Sequence, residues 1–344
     1  MKAEIFNTTK TKQLNIELVR NTLIKRSACT RKRIADETGL SIATCGNILN
    51  ELIEHNEVFE SDSEESNGGR PAKCYDFNPN YSFVAGISIS NEKEKFCVNY
   101  AVANMAGEVV FEDTETFKEI KISSIEKIID GLTGSNGLIK AIGIGVPGVV
   151  SDGIVVDDCD IKDLIGYPLA KTLTGKYSIK IIVENDMNLK ALGFYREQQY
   201  GGPNNVAVIN FPANDCSGSG IIIDGHLLKG NSNFAGEVSY LPLGIAREKL
   251  LEQAKNADEY LPYIINTLVS VIAITNPGKI TLTGELVKPD MLDEIVRGCR
   301  LLLPAKHIPE IIIKEDISDE YLKGLIYVTL KSLSCEVQLI KKRI

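Results

Sequence analysis

The chain has 344 residues, 44% of them hydrophobic and 24% charged, with a net charge of −8. This composition is typical of a soluble protein of two or three domains. No apolar run approaches the roughly 18–20 residues of a membrane span, and the N-terminus lacks a signal-peptide core. The eight cysteines contain no CxxC pair, which argues against a disulfide framework and a cysteine-rich zinc site. We therefore expect a cytoplasmic protein without a cofactor.

Positive charge is concentrated at one end of the chain. Residues 1–33 contain nine Lys and Arg and two acids, a local net charge of +7. Much of the compensating negative charge lies later, in "ESDSEES" at residues 60–66. This uneven distribution favours a nucleic-acid contact by the N-terminal segment despite the acidic total.

Three helical patterns follow one another at the N-terminus. "QLNIELVRNTLIKRS" has one apolar stripe, and "RKRIADETGL" predicts a short helix that ends at Gly39. The third helix begins after the N-cap Ser41 and places apolar residues from Ile42 to Ile53 inward. A short helix, a glycine turn and a second amphipathic helix indicate a helix-turn-helix, and residues 58–77 predict the hairpin of a wing.

The outward face of the third helix carries small and short polar side chains that suit a major groove, with asparagine able to read adenine. Flanking basic residues are placed to contact phosphates or a minor groove. The predicted DNA-binding residues are Arg31, Lys32, Arg33, Ser41, Ala43, Thr44, Asn47, Arg70 and Lys73. The alternative is a winged helix that serves only dimerisation.

From Tyr81 onward the pattern is that of a β-rich α/β protein in two halves. Each half opens with strands and closes with helices, which suggests a duplicated fold with a cleft between two lobes. In the first half, the apolar run "IIV" ends in Glu184, Asn185 and Asp186, and a helix follows. A carboxylate at the end of a buried strand is a common position for a general base.

Six motifs occur in order: "TGLSIATCGNILNELIE", "GGRPA", "GIGVPGVV", "VENDMNLKALGFY", "IIIDGHLLKG" and "AGEVSYLP". With them the chain resembles the ROK family of repressors, open reading frames and sugar kinases, specifically its repressor branch. The resemblance implies an α/β chain with an N-terminal winged helix-turn-helix and a two-lobed actin-like ATPase fold, the duplicated ribonuclease-H-like type. The expected domains are 1–79, 80–205 and 206–344.

The resemblance also implies a set of sugar-binding residues. Asp186 stands in the position of the kinase base, while Asn185 and Glu237 stand where family members bind sugar hydroxyls. Tyr240 replaces a histidine that touches sugar and zinc in the family. A carboxylate paired with an amide suits vicinal hydroxyls, because together they accept and donate hydrogen bonds. The competing interpretation of Asp186 is a helix N-cap.

Both phosphate-binding segments depart from the kinase pattern. The glycine-rich turn after the first strand is replaced by "GISISNEKEK", and the second phosphate loop reads "ANDCSGSG". The replacing residues are Ser88, Ser90, Asn91, Glu92, Asn214, Asp215 and Cys216. Two acids facing a triphosphate would cost several kcal/mol in a poorly solvated cleft. We therefore predict that the chain is not an enzyme.

Other departures concern the ligands of the family. The cysteine-rich zinc loop is missing, so structural zinc is not expected. The segment "DDCDIKDLIGYPL" lacks the family's asparagine; either Asp160 or Asp163 would have to substitute, and the alternative is a solvated acidic loop. His226 reads as a surface residue rather than a ligand.

These observations favour a DNA-binding transcriptional regulator, of repressor type, of carbohydrate metabolism genes. Its expected partners are operator DNA and a small carbohydrate effector, bound in a non-catalytic kinase-like cleft, with no membrane partner. We expect a homodimer or a homotetramer. Two alternatives remain: a ROK-type sugar kinase fused to a DNA-binding head, and a regulator whose body only dimerises and binds no sugar.

Overall fold

Three sheets of three or five strands, with their helices, and a further two-stranded sheet make up the part of the chain that the structure describes. The computed structural model describes residues 8–62, 72–92, 95–135, 138–157, 159, 161–198, 202–213, 215–244, 249 and 257–334. Within these ranges no helix has the length and apolar character needed to cross a membrane.

The N-terminal head has the element order of a winged helix-turn-helix. Its helices are α1 (Thr8–Lys25), α2 (Arg31–Thr38) and α3 (Ile42–Glu54). Its strands are β1 (Cys29–Thr30), β2 (Val58–Asp62) and β3 (Lys73–Phe77), which pair antiparallel in the order β1-β3-β2. Gly39 ends α2 with φ 72°, a left-handed conformation that favours glycine.

A small apolar core joins the three helices of the head to its sheet. Leu23, Ile34, Leu49 and Tyr75 are almost completely buried in this core. The predicted inward position of Ile42 is wrong: this side chain is 57% exposed. Ile42 is the first helical residue of α3, and a helical Cβ points toward the N-terminus, so its side chain extends beyond the core.

The body begins with a five-stranded sheet in the order β10-β7-β4-β5-β6. A parallel core of β4, β7 and β10 is extended by the antiparallel β5 and β6. The elements of this part are β4 (Phe83–Glu92), β5 (Lys95–Asn104), β6 (Val109–Phe117), α4 (Ile122–Ser135), β7 (Ile139–Val146), β8 (Val149–Ser151), β9 (Ile154–Asp157), α5 (Leu169–Tyr177), β10 (Lys180–Asn185) and α6 (Asp186–Glu197).

A second five-stranded sheet follows, in the order β13-β12-β11-β14-β15. It repeats the mixture of antiparallel and parallel pairs, as expected for a duplicated fold. The remaining elements are β11 (Val206–Asn210), β12 (Gly218–Ile223), β13 (His226–Leu227), α7 (Ala257–Thr275), β14 (Lys279–Thr283), α8 (Leu292–Leu302), β15 (Glu310–Ile313) and α9 (Ser318–Leu333).

Helices α6 and α9 cross in close contact between the two sheets. A Cβ on Gly193 of α6 would lie 1.8 Å from the carbonyl oxygen of Glu320, and one on Gly324 of α9 would lie 2.0 Å from that of Leu189. Only glycine permits this backbone approach. Helix α6 also contacts β11 and β12 of the second sheet, so the crossing ties both sheets together.

Helix α9 follows the second sheet in the chain but packs on the first. It covers β4 and β7, where Gly86, Gly143 and Gly145 make room for its side chains. A Cβ on Gly145, for example, would lie 2.5 Å from the Tyr321 hydroxyl. Helix α9 thus lies within the predicted range of the second lobe, 206–344, but packs against the sheet of the first half.

Candidate functional site

A cleft of about 320 Å³ lies between the two halves of the body. The end of β10 and the start of α6 contribute Asn185 and Asp186, while the second half contributes Asp215, Ser217 and Glu237. The volume is in the range of small-molecule sites. Three of the predicted sugar-binding residues therefore line one cavity.

Asn185 is the N-cap of α6, the role that the sequence had offered as the alternative for Asp186. Its Oδ1 accepts a hydrogen bond from the backbone N–H of Asn188 at 2.9 Å. Its Nδ2 donates to the carbonyl oxygen of Gly148 at 3.0 Å. The amide therefore holds the strand end, the helix start and the loop after β7 together.

Asp186 is engaged by a lysine of its own helix. The Nζ of Lys190 lies 2.6 Å from the Asp186 Oδ2, and the two side chains are only 12% and 14% exposed. Lys190 also lies 5.2 Å from the ring centroid of Tyr321, whose hydroxyl donates to the carbonyl of Ile89 at 3.2 Å. Burial and the charge of Asp186 raise the pKa of Tyr321 well above its ordinary value. Lys190 is not among the predicted site residues, although its spacing of four residues from an acid is a usable signal.

A second ion pair connects the two halves beside the cleft. Glu184, at the end of β10, is 9% exposed and accepts hydrogen bonds from the Asn185 backbone at 3.0 Å and from the Asn188 side chain at 3.1 Å. Its other oxygen pairs with the Nζ of Lys229, which follows β13 of the second sheet. No local pattern could have predicted this contact, because the partners lie 45 positions apart.

Tyr240 does not belong with the other predicted sugar-binding residues. Its side chain is 46% exposed and lines a separate apolar groove, where it meets the ring of Phe234 at a centroid distance of 5.1 Å. Glu237 lines both the cleft and this groove. The short 3₁₀ turn at Val238–Tyr240 explains the difference, because it carries the chain away from the cleft after Glu237.

The cleft continues into a small acidic pocket of about 70 Å³. Asp186, Asp215 and Glu285 line it together with Lys190, and Ser90 and Asn91 complete one side. Strand β4 remains paired with β5 as far as Glu92, so the chain forms a strand here and not a glycine-rich turn. The Glu92 side chain and Asn214, which replace residues of the two phosphate-binding segments, lie outside the part of the chain that the structure describes.

Ser217, which lines the cleft from the second half, belongs to a neutral hydroxyl pair. Ser217 is 2% exposed, and its hydroxyl shares a hydrogen bond of 3.1 Å with that of Tyr260. Burial raises the pKa of Tyr260 to about 12. Both groups are therefore uncharged at neutral pH, and Ser217, which lines the cleft, can bond a ligand hydroxyl.

Other residues considered for ligand binding lie elsewhere. Asp163 is exposed in the turn Lys162–Leu164 and does not line the cleft, to which Cys159 and Ile165 contribute from this segment. Asp160 lies outside the described residues. His226 is exposed and bonds the carbonyl of Asp224. Within the described ranges no group of three His, Cys, Asp or Glu is arranged to hold a metal.

In the head, α3 presents the predicted face to solvent. Ser41, Ala43 and Asn47 are exposed, and Thr44 is half-buried. The Ser41 hydroxyl accepts from the Thr44 backbone at 3.1 Å and lies 2.8 Å from the Thr44 hydroxyl. Ser41 therefore caps α3 and bonds Thr44, which leaves Ala43 and Asn47 as the more accessible of the predicted DNA-binding residues on this helix.

The predicted phosphate contacts differ in how far they are engaged within the protein. Arg31 donates to the Tyr75 hydroxyl at 2.7 Å and stacks 5.3 Å from its ring centroid. Arg33 pairs with Glu37 at 3.4 Å, and Lys73 pairs with Glu60. Lys32 is exposed at the start of α2, whereas Arg70 lies outside the described residues.

The guanidinium of Arg31 also lies above Gly46, where a Cβ would be 3.6 Å from it. An alanine methyl group at this position would meet the guanidinium at an ordinary van der Waals distance, so the contact does not require glycine. The predicted phosphate contact of Arg31 would therefore compete with its packing inside the head.

Comparisons with known proteins agree with this architecture. Residues 84–249 match the model of the ROK family. A xylose repressor from Caldicellulosiruptor bescii is 30% identical over 68% of this chain and 60% of its own length. The chain thus spans less than two thirds of that relative.

Solved structures show the fold. A ROK family transcriptional regulator, described as a homologue of the Escherichia coli MLC protein, aligns over 94% of this chain and 100% of its own with 19% identity and a TM-score of 0.67. A ROK hexokinase from Thermus thermophilus aligns over 73% of this chain and 99% of its own, with 16% identity and a TM-score of 0.56. The expected actin-like fold of the sugar-kinase type is confirmed.

Proposed function

Because residues 84–249 form a ROK family domain, we propose that this chain is a transcriptional repressor that binds operator DNA through its N-terminal head and a small sugar in the cleft of its body. The observation that carries the proposal is the combination of a head whose α3 exposes Ala43 and Asn47 with a body that has a polar cleft. The regulators among its relatives support it.

The DNA-binding half rests on the surface of the head. Ala43 and Asn47 face solvent on α3, where asparagine is suited to adenine and a small apolar residue to the methyl group of thymine. Lys32 adds an exposed cation for the phosphate backbone. A homodimer would present two such heads to two half-sites.

The sugar-binding half rests on the donors and acceptors of the cleft. Asp186 and Glu237 accept hydrogen bonds from hydroxyl groups, and Ser217 can donate or accept. The carboxylates at 186, 215 and 237 disfavour phosphorylated sugars, because like charges repel strongly in a partly desolvated cleft. A neutral monosaccharide is the effector that suits this lining, and xylose is the first candidate because a relative is named a xylose repressor.

The body is not a kinase. A transferred phosphoryl group requires positioned amides, Mg²⁺ and surrounding cations, whereas the pocket next to Asp186 contains Asp215 and Glu285 as well. Lys190 bonds the carboxylate that would serve as the base. Asp186 therefore acts as a sugar-hydroxyl ligand held in place by Lys190.

A selection experiment with the full-length protein tests both halves. Duplexes are selected from a random library, and the dissociation constant of the enriched duplex is measured with and without D-xylose, D-glucose and N-acetylglucosamine. We expect one sugar to change the affinity by 5- to 150-fold, the range of a coupling of about 1–3 kcal/mol. Equal affinities in every sugar contradict sensing, and failure to enrich a duplex contradicts DNA binding. Sugar-dependent ATP hydrolysis contradicts a non-catalytic cleft.

A second candidate is a regulator whose body only dimerises. It is favoured by the internal bonds of Asn185 and Asp186, which engage both amide atoms and one carboxylate oxygen without a ligand. Thermal unfolding of the full chain separates the two candidates. A sugar at 100 times its dissociation constant stabilises a binding body by about 2.7 kcal/mol, whereas a dimerisation body shows no shift with any sugar.

A further inference from the structure

An isoleucine stands on the surface of the head where a DNA reader is expected. Ile42 is the first residue of α3 and is 57% exposed. Ala43 and Asn47, on the same helix, are exposed as well. The N-terminal residues of the second helix of a helix-turn-helix are those that contact base edges. The side chain of Ile42 therefore emerges at the end of α3 that enters a major groove.

Exposure alone would not distinguish Ile42, because single exposed apolar residues are common on protein surfaces. Ile24 on α1, for example, is 44% exposed in the same head. The two residues differ in where they lie in the head. Ile42 adjoins the outward face of α3, whereas Ile24 lies in the last turn of another helix.

The chemistry of the helix indicates which base pair suits it. Residues 41–54 contain no Arg or Lys, the side chains that bind guanine in the major groove. They provide instead two exposed asparagines, Asn47 and Asn50, a residue type that pairs with adenine, and the exposed apolar groups of Ile42 and Ala43. An A·T pair presents both complements in the major groove: the adenine edge and the 5-methyl group of thymine.

We propose that Ile42 recognises the 5-methyl group of a thymine, so that this residue, together with Asn47, selects A·T pairs opposite the N-terminal turn of α3. The inference rests on the proposed DNA-binding function and adds a specificity residue to it. The contact is apolar and involves no charge, so its contribution is insensitive to salt, unlike that of the phosphate contacts.

Removal of single methyl groups from the DNA tests the contact. In a duplex selected by the full-length protein, each thymine is replaced in turn by uracil, which keeps the base pair and lacks only the methyl group. We expect wild-type binding to weaken about fourfold at the contacted thymine, the effect of about one buried methyl-sized group. The Ile42→Ala variant should bind the thymine and uracil duplexes equally well at that position.

Ile24→Ala is the matched control, since it truncates an exposed isoleucine of the same head, and it should keep the wild-type response to uracil. The proposal is overturned if wild-type binding ignores every uracil replacement, or if Ile42→Ala retains the wild-type loss. If the protein enriches a duplex but shows either result, only the role of Ile42 fails. If no duplex is enriched, the proposed DNA-binding function fails with it.

Discussion

The predicted DNA-binding face of α3 and the cleft of the body differ in whether their polar side chains are already bonded within the protein. Asn47 on α3 is exposed to solvent, whereas Asn185 and Asp186 are bonded to Asn188, Gly148 and Lys190. A base edge that meets Asn47 replaces only water. A sugar hydroxyl that meets Asp186 finds a carboxylate whose charge is already paired with Lys190, which reduces the net gain. We therefore expect the cleft to bind a sugar selectively but not tightly.

The two regions also differ in what supports them. The face of α3 rests on a core of side chains such as Leu49 and Ile34, which tolerates exchanges of similar volume. The cleft rests on α6, whose Gly193 approaches the backbone of α9 too closely for any side chain. Substitutions should therefore affect the two regions very differently.

The largest effect is expected at the crossing of α6 and α9. In Gly193→Ala the new methyl group would meet the Glu320 carbonyl oxygen at 1.8 Å, so we expect the free energy of unfolding to fall by at least about 2–3 kcal/mol. Denaturant unfolding of the full chain measures this loss. Gly175→Ala is the control: no atom lies within 4 Å of its Cβ position, and alanine should stabilise α5 by up to about 1 kcal/mol. Equal effects at both glycines would contradict the close crossing.

The next effect concerns the ion pair of the cleft. A double-mutant cycle of Asp186→Asn and Lys190→Met should give a coupling energy of about 1–3 kcal/mol in unfolding, because both side chains are almost completely buried. Lys127 and Glu115, at 3.5 Å and with Lys127 73% exposed, form the control pair and should couple by less than about 1 kcal/mol. If the coupling energy of the cleft pair is no larger than that of the surface pair, Asp186 is available to a ligand without competition from Lys190.

The third prediction concerns the exposed surface of α3 in the head and uses the substitution Asn47→Ala. We expect it to weaken binding to the selected duplex by about 1–3 kcal/mol and to remove the preference for adenine at one position. Sugar-induced stabilisation of the body should not change. Asn21→Ala, an exposed asparagine of α1, serves as the control in the same binding assay. A uniform loss across all sequences would instead indicate a phosphate contact.

The smallest effect is a pH dependence near the crossing. The hydrogen bond from Lys323, together with the charges of Lys323 and Lys314, holds the pKa of Glu197 below its ordinary value of 4.5. A carboxylate with a lowered pKa stabilises the folded state above its ordinary pKa, and this stability is lost as the pH falls through the folded value. Glu197→Gln should therefore be less stable than wild type at neutral pH, and the difference should shrink below pH 4.5.

Because the Glu197 side chain is 38% exposed, this difference should not exceed about 1 kcal/mol. Unfolding midpoints of both proteins across the acidic range measure it, with Glu119→Gln as an exposed control. A difference that grows on acidification would mean that the ion pair does not stabilise the fold.

Local patterns were sufficient for much of the head. The outward positions of Ala43 and Asn47 follow from the helical period, which depends only on neighbours in sequence. Ile42 was misplaced because the same period ignores the end of the helix. In the body, "IIV" predicted a strand, but its length is not fixed by composition, and β10 extends to Asn185. The N-cap is therefore Asn185 and not Asp186.

Other features depend on contacts across the chain. The return of α9 to the first sheet has no signature in its own residues, although the glycines of "GIGV" on β7 make room for its side chains. The pairing of Lys229 with Glu184 depends on the arrangement of both halves. Tyr240 was assigned to the cleft through its position in a motif, and a single 3₁₀ turn was sufficient to move it away.

The path of α6 and α9 has a mechanical consequence. The chain passes from the first sheet to the second after α6 and comes back before α9, so the halves share two tethers beside one crossing. Two chain connections that lie side by side favour rotation of the halves about the line through them over sliding or twisting. We therefore expect a ligand bound in the cleft to change a single angle between the halves. The head is attached at the start of β4 and is therefore carried by the half that contains the first sheet.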